Sequence, residues 1–499
     1  MISLRANRYF TCLLFLLAVT ASALVHAQST HSSPYSRYGI GDIQYPGINQ
    51  TLGMGGTGIG LYSNLSLNFS NPASYARLQF TTCEAGLNAN FVEYRNKVQS
   101  QRDNSMSVGY FALAFPLKSR KSAVGFGVVP LSNVGYYIDD LQTNTLGNPE
   151  LHVYEGSGGL NQLFVTAAAT PFKNLTAGIH LSTLFGEIVQ ERRVEFFDAT
   201  FLNTRYTDAR SQKGLYFTFG LQYTLDSLRL SPADSIKEFR RKIVVIEDSL
   251  GILSTISRKP DNTLDTAGFS VARESLKDQA RKLEAASKKV AVRRQRGNWN
   301  LTAGFTLSPM SSLSASRNLV GETFRYVDNF AKDQVIIKDT IAYTENEKGD
   351  VNLPLSVGFG LTLRKGNQWT IGTDIRTQNW SSFSTYGESD SLANSWRWSA
   401  GAQFVPDERG FNSYWKQMQY MAGFHYSQSF LQLQGTQLTE VGVSIGAGFP
   451  IRRGLTSIRF MAEAGKRGTV DSGLLEERFI RFTMNFSLND RWFIKQRYD

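Results

Sequence analysis

The chain has 499 residues, of which 41% are hydrophobic and 19% charged, with a formal net charge of +11, two cysteines and five histidines. So few cysteines exclude a disulfide-stapled secreted domain, and the histidines show no metal-ligand spacing. The basic excess is local, because residues 227–296 hold 16 Lys+Arg against 9 Asp+Glu. Those basic residues are mixed with acids, so the charge does not indicate a nucleic-acid partner.

The first 27 residues have the features of a secretory signal peptide. Arg5 and Arg8 precede an apolar run at residues 10–24, and small residues flank a cleavage point before Gln28. The run is shorter than the roughly 20 residues that a permanent transmembrane helix needs. We therefore expect residues 1–27 to be removed from an exported protein.

A glycine-rich stretch, residues 52–64, carries the G-x-G-x-x-G spacing of dinucleotide-binding loops. That function needs a strand before the motif, a helix opening at it and an acidic residue about twenty positions on. Here a Pro-Gly turn precedes the motif and an Asn-Pro-Ala segment follows it. The glycines instead predict backbone packed against backbone. We expect residues 28–80 to form a hatch inside a barrel lumen, with these packed positions: Gly53, Gly55, Gly56, Gly58, Asn71, Pro72 and Ala73.

Large apolar and small polar residues alternate through most of the remaining chain. Residues 215–225, LYFTFGLQYTL, alternate throughout, which is the period of a β-strand with two different faces. Such long segments in an exported chain favour a membrane barrel over a soluble sandwich. There are fourteen of them: 82–94, 104–117, 122–135, 159–172, 175–193, 213–226, 298–316, 353–364, 368–382, 394–405, 417–430, 438–450, 456–468 and 478–490.

The predicted fold is therefore all-β, a 14-stranded antiparallel transmembrane β-barrel with a luminal hatch. Strands 1–6 fall within residues 81–226 and strands 7–14 within residues 297–499. Connections after even-numbered strands are mostly short, which is typical of the periplasmic side, and those after odd-numbered strands are longer. External loops are expected at 136–158, 194–212 and 318–352.

Residues 227–296 interrupt this pattern after the sixth strand, so we expect a periplasmic helical hairpin there. One arm has apolar residues at spacings of three and four, and the other has two leucines one heptad apart. The residues concerned are Ile236, Phe239, Ile243, Leu276 and Leu283. Three functions stay open for this insert: a solvated spacer, a docking surface for another envelope protein, and a contact with anionic lipid headgroups or other polyanions.

Six charged residues fall on strand positions that face the lumen: Asp374, Arg376, Arg397, Arg459, Glu463 and Arg481. Asp374 and Arg376 are expected to meet Arg397. Arg459 and Glu463 are expected to meet Arg481 in the same way. Such pairs would anchor the hatch and stiffen the wall, or one arginine would hold a ligand carboxylate. Neither a serine elbow nor a metal-ligand spacing occurs, so we predict no catalytic residue, no metal and no other cofactor.

Two groups of residues resemble one known family. Residues 53–58 (GMGGTG) and 71–76 (NPASYA), followed by a first strand, are similar to the amino-terminal hatch of the FadL/TodX outer-membrane transport proteins. Residues 353–360 (LPLSVGFG), then 369–374 (WTIGTD) and the turn 380–383 (WSSF), match a second and more specific signature of that family. The resemblance covers most of the chain outside the loops and the insert.

The opening residues 33–39 and the closing residues 490–495 resemble members from Bacteroidota-type Gram-negative bacteria. The resemblance implies a cell outer-membrane barrel that passively imports hydrophobic small molecules such as fatty acids or hydrocarbons. Its implied partners are outer-membrane lipid and a hydrophobic ligand or detergent in the lumen. The same fold also serves as a scaffold. The alternative is therefore a non-transporting subunit of an envelope machine, for protein secretion or outer-membrane assembly, that docks partners through residues 227–296.

Overall fold

The computed structural model describes most of the chain. The described residues are 33–44, 49–118, 121–145, 147–198, 200–228, 244–245, 248, 274–282, 299–327, 334–407, 413–451 and 456–490. The predicted signal peptide and the insert residues Ile236, Phe239, Ile243 and Leu283 lie outside them. Leu276 falls in a helical segment at 274–282, where Lys282 Nζ lies 2.7 Å from Asp278 Oδ2. Among the described residues, no helix is long and apolar enough to cross a membrane.

Strands make up almost all of the described structure. In chain order they are β1 (Asp42–Ile43), β2 (Thr81–Arg95), β3 (Ser100–Lys118), β4 (Ser122–Pro130), β5 (Ser132–Thr143), β6 (Pro149–Phe172), β7 (Leu175–Phe196), β8 (Asn203–Leu228), β9 (Trp299–Ser308), β10 (Ser311–Tyr326), β11 (Val335–Leu353), β12 (Ser356–Lys365), β13 (Trp369–Gln378), β14 (Ser384–Thr385), β15 (Glu388–Ser389), β16 (Ser395–Phe404), β17 (Gln419–Leu433), β18 (Thr436–Ile451), β19 (Thr456–Gly468) and β20 (Glu476–Asp490). Outside the helical residues of the insert, the regular structure also includes two short α-helices, α1 (Asn49–Gly53) and α2 (Tyr414–Gln417), and four 3₁₀ turns, Pro34–Arg37, Pro72–Arg77, Trp380–Ser382 and Asp471–Gly473.

The strands form a closed antiparallel barrel. Neighbours in sequence pair around the ring, and β20 closes it against β2, with Thr81 opposite Asp490. Three wall strands consist of two pieces: β4 with β5, β9 with β10, and β11 with β12. Each break contains a proline (Pro130, Pro309 and Pro354), which cannot donate to a ladder. Counting each broken strand once confirms the predicted 14-stranded antiparallel barrel.

Several strands are longer than the alternation predicts. β6 has 24 residues, β7 has 22 and β8 has 26, although roughly 9–11 residues span a bilayer. The loops expected at 136–158, 194–212 and 318–352 are therefore mostly strand, and that expectation is wrong. The reason is that apolar alternation ends where lipid ends. The hydrogen-bond ladder continues, as between β8 and β10 up to Asn203 opposite Phe324.

The two faces of the wall have opposite character. On β8, Leu215, Phe219 and Leu225 are 44–54% exposed on the outer face. Gln222 and Thr224, which alternate with them, are 1–2% exposed and face inward. An apolar outer surface around a polar, crowded interior is the arrangement of a barrel that spans a membrane.

The lumen holds the amino-terminal segment, which we define as residues 33–44 and 49–80. One end of the barrel carries the short connections, such as 172–175 and 365–369, and is called the short-turn end. The opposite end, formed by the long strand extensions, is called the mouth. A hydrophobic cluster fills the lumen toward the mouth, and we call it the mouth core. Its buried members are Tyr35, Ile40, Val134, Tyr136, Leu160, Leu184, Ile188, Leu313, Ala315, Val351, Leu353, Trp380, Phe383, Phe430, Leu431, Leu438 and Leu474.

Candidate functional site

The amino-terminal segment touches the wall backbone directly at glycines. Gly55 has a φ of 73°, and a Cβ placed on it would lie 2.4 Å from the carbonyl oxygen of Phe424. From the wall, a Cβ on Gly401 would lie 2.3 Å from the carbonyl oxygen of Met54. A side chain on either partner would separate the two backbones, so these contacts require glycine. The wall glycines that meet the segment's backbone in this way are Gly178, Gly304, Gly360, Gly401 and Gly423, whereas Gly220 meets the side chains of Asn71 and Pro72.

The other glycines of the motif are packed for different reasons. Gly56, with a φ of 93°, lies beside the guanidinium of Arg397, and Gly53 lies against Met421. A Cβ on Gly58 would lie 2.7 Å from Ser70 Oγ within the segment itself. All four predicted glycines therefore occupy crowded positions, and only Gly55 and Gly56 need the left-handed backbone conformation.

Asp374 holds the glycine motif from the wall. Its Oδ2 accepts hydrogen bonds from the backbone N–H groups of Gly58 at 2.5 Å and Ile59 at 2.7 Å. Charge-assisted hydrogen bonds of this kind are among the stronger ones in proteins. The sequence places Asp374 near Arg397, but the carboxylate binds the amino-terminal segment and forms no ion pair with that arginine among the described residues.

Asn71, Pro72 and Ala73 begin a short 3₁₀ turn that abuts the wall. Asn71 Oδ1 accepts from the N–H of Ala73 at 3.0 Å and caps the turn. Its Nδ2 donates to the carbonyl oxygens of Ile59 at 2.8 Å and of Leu221, on β8, at 3.1 Å. One side chain thus joins the turn, the glycine motif and the wall.

Glu440 lies inside the barrel among three charged side chains and His425. Its Oε1 lies 3.2 Å from His425 Nε2, 3.5 Å from Arg481 and 3.9 Å from Arg397. Glu463 lies 3.6 Å from both His425 Nδ1 and Arg481. The predicted proximity of Glu463 and Arg481 is therefore present. Arg397 also reaches the segment, donating to the carbonyl oxygen of Gly55 at 3.4 Å.

His425, Glu440 and Glu463 also bring three potential metal-ligand atoms within 4.8 Å of one another. The two guanidinium groups beside them already supply the positive charge that the carboxylates need. The arrangement is therefore an ion-pair network on the wall, and its chemistry is structural.

Arg459 does not join this network as the sequence suggests. It donates to Ser66 Oγ at 2.5 Å and lies 3.9 Å from Glu84 Oε1, both deeply buried. Ser66 belongs to the amino-terminal segment and Glu84 to β2. The expected contact with Arg481 is absent because of strand register: Arg459 lies opposite Asn485, whereas Arg481 lies opposite Glu463, four residues farther along β19.

Arg467 secures the start of the described chain. Its Nη1 lies 2.8 Å from Asp42 Oδ1 and 3.7 Å from Glu477 Oε2. The hydroxyl of Ser33 donates to the same Glu477 carboxylate. Asp42 and Ser33 both precede the glycine motif, so this ion pair ties the outermost part of the segment to β19 and β20.

Several aromatic side chains pack together in the mouth core. The rings of Trp380 and Phe430 stack with centroids 4.5 Å apart, and Phe383 lies 5.5 Å from Trp380. Trp380 is 2% exposed and Phe383 is 1% exposed. Both come from the turn after β13, which folds inward over the lumen. Tyr35 joins them from the amino-terminal segment and donates through its hydroxyl to the carbonyl oxygen of Leu475 at 2.6 Å.

Strand pairing in the wall is interrupted between β3 and the third wall strand, which consists of β4 and β5. β4 pairs with β3 as far as Val128 opposite Phe111. Beyond the break at Leu131, β5 pairs with β6 and with the short β1, and β3 has no partner on that side among the described residues. A lateral gap therefore separates the mouth-side half of β3 from β5.

A cavity of about 80 Å³ lies between the amino-terminal segment and the mouth core. It is lined by apolar groups on one side, among them Phe69, Val129 and Leu131, and by polar groups on the other, among them His180 and Arg376. A cavity of about 150 Å³ is known to hold benzene. This cavity is therefore smaller than one hydrocarbon ring requires.

Comparison with known protein families shows to which family the chain belongs. The BamG family matches residues 10–237 and 256–499. The chain belongs to the BamG family. No curated protein matches it.

Solved structures share the fold of this BamG family member. A FadL homologue of Pseudomonas aeruginosa aligns with 88% of this chain and 98% of its own at 11% identity, with a TM-score of 0.51. The Pseudomonas putida toluene transporter TodX aligns with 91% of this chain and 100% of its own at 12% identity, with a TM-score of 0.50. The fold is therefore that of a FadL-like, outer-membrane-type barrel.

Sequence reasoning missed three residues of this BamG family member's lumen. Glu440, His425 and Arg467 all face inward. The sequence could have placed each of them in the lumen, because each occupies an inward position of the strand alternation, as small polar residues such as Ser444 and Ser427 do. Their partners could not be read in the same way, since they depend on strand register and on the path of the amino-terminal segment.

Proposed function

We propose that the protein is a subunit of an envelope machine, acting in protein secretion or outer-membrane assembly and not as a conduit through its own lumen. Its place is the outer membrane of a Bacteroidota-type Gram-negative bacterium. Membership of the BamG family supports an envelope partner. The observation that carries the proposal is the mouth core, which fills the side of the lumen from which an imported compound would enter.

The energetics of the mouth core favour a permanent closure. Trp380, Phe383 and Phe430 are each at least nine-tenths buried. Burial of one such aromatic side chain stabilises the fold by roughly 2–3 kcal/mol. Opening the mouth would expose several of them together. A passive importer has no energy source for that step except ligand binding.

The short-turn end offers a second closure. There the amino-terminal segment, which we propose as the hatch, is tied to the wall by Asp374, Arg459 and Asn71. A barrel that is closed at both ends is free to present its outer surfaces and its periplasmic insert to other proteins. We therefore propose residues 227–296 as the docking arm, with the spacer and lipid-contact alternatives as outcomes of the test.

The test compares the full chain with a variant that lacks residues 232–294. Both are purified under native conditions from cells, and copurifying outer-membrane and periplasmic proteins are quantified. A variant lacking residues 96–99, the tip of the β2–β3 hairpin at the opposite end, serves as control. We expect a stoichiometric envelope partner with the full chain and the control, and its loss with the insert deletion. In cells without the protein, we expect lower amounts of other outer-membrane or secreted proteins.

Two results would contradict parts of this proposal. If no envelope protein copurifies and the levels of exported proteins stay unchanged, the scaffold function is wrong. If the partner persists after the insert deletion, the docking surface lies on the barrel, and the insert is a spacer or a contact with anionic lipid headgroups.

The interrupted third strand favours a second candidate, passive import of hydrophobic small molecules through the wall. The gap between β3 and β5 would give an apolar compound a lateral route that avoids water. An uptake assay with a labelled long-chain fatty acid and with toluene tests it in cells with and without the protein. A disulfide that joins the mouth-side half of β3 to β5 should abolish uptake, and reduction of the disulfide should restore it. Equal uptake in all strains would exclude this function.

A further inference from the structure

One luminal arginine lines the 80 Å³ cavity without a direct ion pair. Arg397, Arg459, Arg467 and Arg481 each lie within ion-pair distance of a glutamate or aspartate. Arg376 lines the cavity and forms no ion pair with any residue that the structure describes. A guanidinium stays charged at all accessible pH values. The cavity therefore contains a positive charge that no described carboxylate contacts directly.

The nearest carboxylate on the same strand is already engaged. Asp374 faces inward two residues before Arg376, and its Oδ2 accepts from the N–H groups of Gly58 and Ile59. That oxygen is therefore bonded to the amino-terminal segment. Among the described residues, no aspartate or glutamate lines the cavity.

A second polar group faces the cavity without a partner. His180 is 4% exposed and lines the cavity. Its Nδ1 contacts the hydroxyl of Thr166, and with that hydroxyl as donor the ring proton lies on Nε2. Nε2 is buried and has no hydrogen-bond partner among the described residues. A buried N–H group of this kind ordinarily has a partner.

Hydroxyl and amide groups complete the polar side. Thr218 and Ser308 line the cavity and hydrogen-bond to each other at 2.9 Å. Gln378 also lines it, and its Oε1 accepts from Trp380 Nε1 at 3.1 Å. With the amide oxygen of Gln378 engaged, its NH₂ group remains as a donor. The polar side of the cavity is therefore rich in donors.

We infer that this cavity binds one small monovalent anion, a halide or a one- or two-carbon carboxylate, between Arg376 and His180. The guanidinium supplies the charge, and the His180 N–H and the amide and hydroxyl groups supply directed hydrogen bonds. The volume of about 80 Å³ admits such an ion with a few waters and excludes larger anions. The proposal does not depend on the function proposed above, because an anion here would stabilise the closed lumen whatever the barrel's partners are.

The experiment uses the purified full-length protein in detergent at constant ionic strength. The thermal unfolding midpoint is measured in sodium chloride, bromide and formate, and in sodium gluconate as a large anion. Arg376→Gln removes the proposed anchor. Arg364→Gln is the matched control, because Arg364 is a part-buried arginine that donates to the Tyr62 carbonyl oxygen, stacks on the Tyr62 ring at 4.3 Å and does not line the cavity.

We expect the small anions to raise the midpoint in a saturable way in the parent and in Arg364→Gln, and gluconate to do so less. Arg376→Gln should respond equally to all four salts. The same response of the two variants, or a gluconate effect equal to that of formate, would overturn the inference.

A direct measurement covers the case in which Arg376→Gln fails to fold. Crystals of the unaltered protein soaked in bromide should show one anomalous peak inside the cavity, and formate in the soak should displace it. A cavity without bromide at saturating salt, or bromide only at surface lysines, contradicts the site.

Discussion

The two closures of the lumen are built from opposite kinds of contact. At the short-turn end, the amino-terminal segment is held by glycines, hydrogen bonds and buried charges, such as Gly55 against Phe424 and Asp374 against Gly58. At the mouth, the closure is a hydrophobic core of large side chains around Trp380. The first depends on the absence of side chains and the second on their size.

The difference shows what each closure tolerates. A hydrophobic core is non-directional and accepts exchanges of similar volume, so the mouth should survive conservative changes. Backbone-to-backbone contact does not tolerate a side chain, because any Cβ would push the two backbone segments apart. Breaking the two closures one at a time should therefore separate sealing of the lumen from stability of the barrel.

The largest effect is expected for Gly55→Leu. The position has a φ of 73°, and a Cβ there would meet the Phe424 backbone at 2.4 Å. Left-handed strain and overpacking together cost about 5 kcal/mol at their upper range, so the amino-terminal segment should leave its place. Tyr35 and Ile40 of the same segment belong to the mouth core, so its departure weakens the closure at both ends. The measurement is ion conductance in planar bilayers, where we expect the variant to conduct and the parent to stay closed.

The matched control is Gly435→Leu. Gly435 has a φ of 76° but nothing within 4 Å of a Cβ, so it carries the same backbone strain without the contact. We expect it to remain closed. Conductance in both variants would mean that backbone strain, and not contact, governs the seal.

A smaller effect is expected for Trp380→Ala in the mouth core. Removing a buried tryptophan costs roughly 3–5 kcal/mol, measured as the free energy of unfolding in urea. Conductance should stay low, since the amino-terminal segment still seals the short-turn end. Trp398→Ala, at an outward position that is 41% exposed, should lose much less. Equal losses at the two positions would argue against a packed mouth core.

The smallest effect is expected for Asp374→Asn. The amide still accepts from the Gly58 and Ile59 N–H groups, but the bonds lose their charge assistance, at a cost of roughly 1–2 kcal/mol. Hydrogen exchange of peptides that cover residues 55–62 should accelerate, with the fold unchanged. Asp140→Asn, on the exposed part of β5, should leave that exchange as in the parent. Unchanged exchange in Asp374→Asn would remove Asp374 from the list of anchors.

Much of the architecture could be predicted from the chain alone. Period-two alternation in segments such as 215–225 identified the strands, their number and the inward direction of Asp374 and Arg376. Alternation could not identify the mouth-side extensions of β6, β7 and β8. Outside lipid the outer face need not be apolar, and only pairing with a neighbour keeps those residues in strands.

The sequence predicts the residues of the candidate site but only some of their contacts. It predicts that Gly55 is close-packed, and the structure shows which atoms Gly55 meets. It also places Asp374 near Arg397, but the Asp374 carboxylate accepts hydrogen bonds from Gly58 and Ile59. The error has a plain cause, since strand register brings wall residues together but does not say what the lumen contains.

Strand alternation is enough to assign which residues face lipid and which face the lumen, because a side chain in a strand can only point to one side or the other. The glycine positions likewise indicate where two backbones can approach closely. The partners that fill the lumen depend on tertiary structure. The amino-terminal segment and the turn after β13 reach the lumen from distant parts of the chain, so contacts such as those with Arg459 and Arg467 join residues that alternation cannot relate to each other.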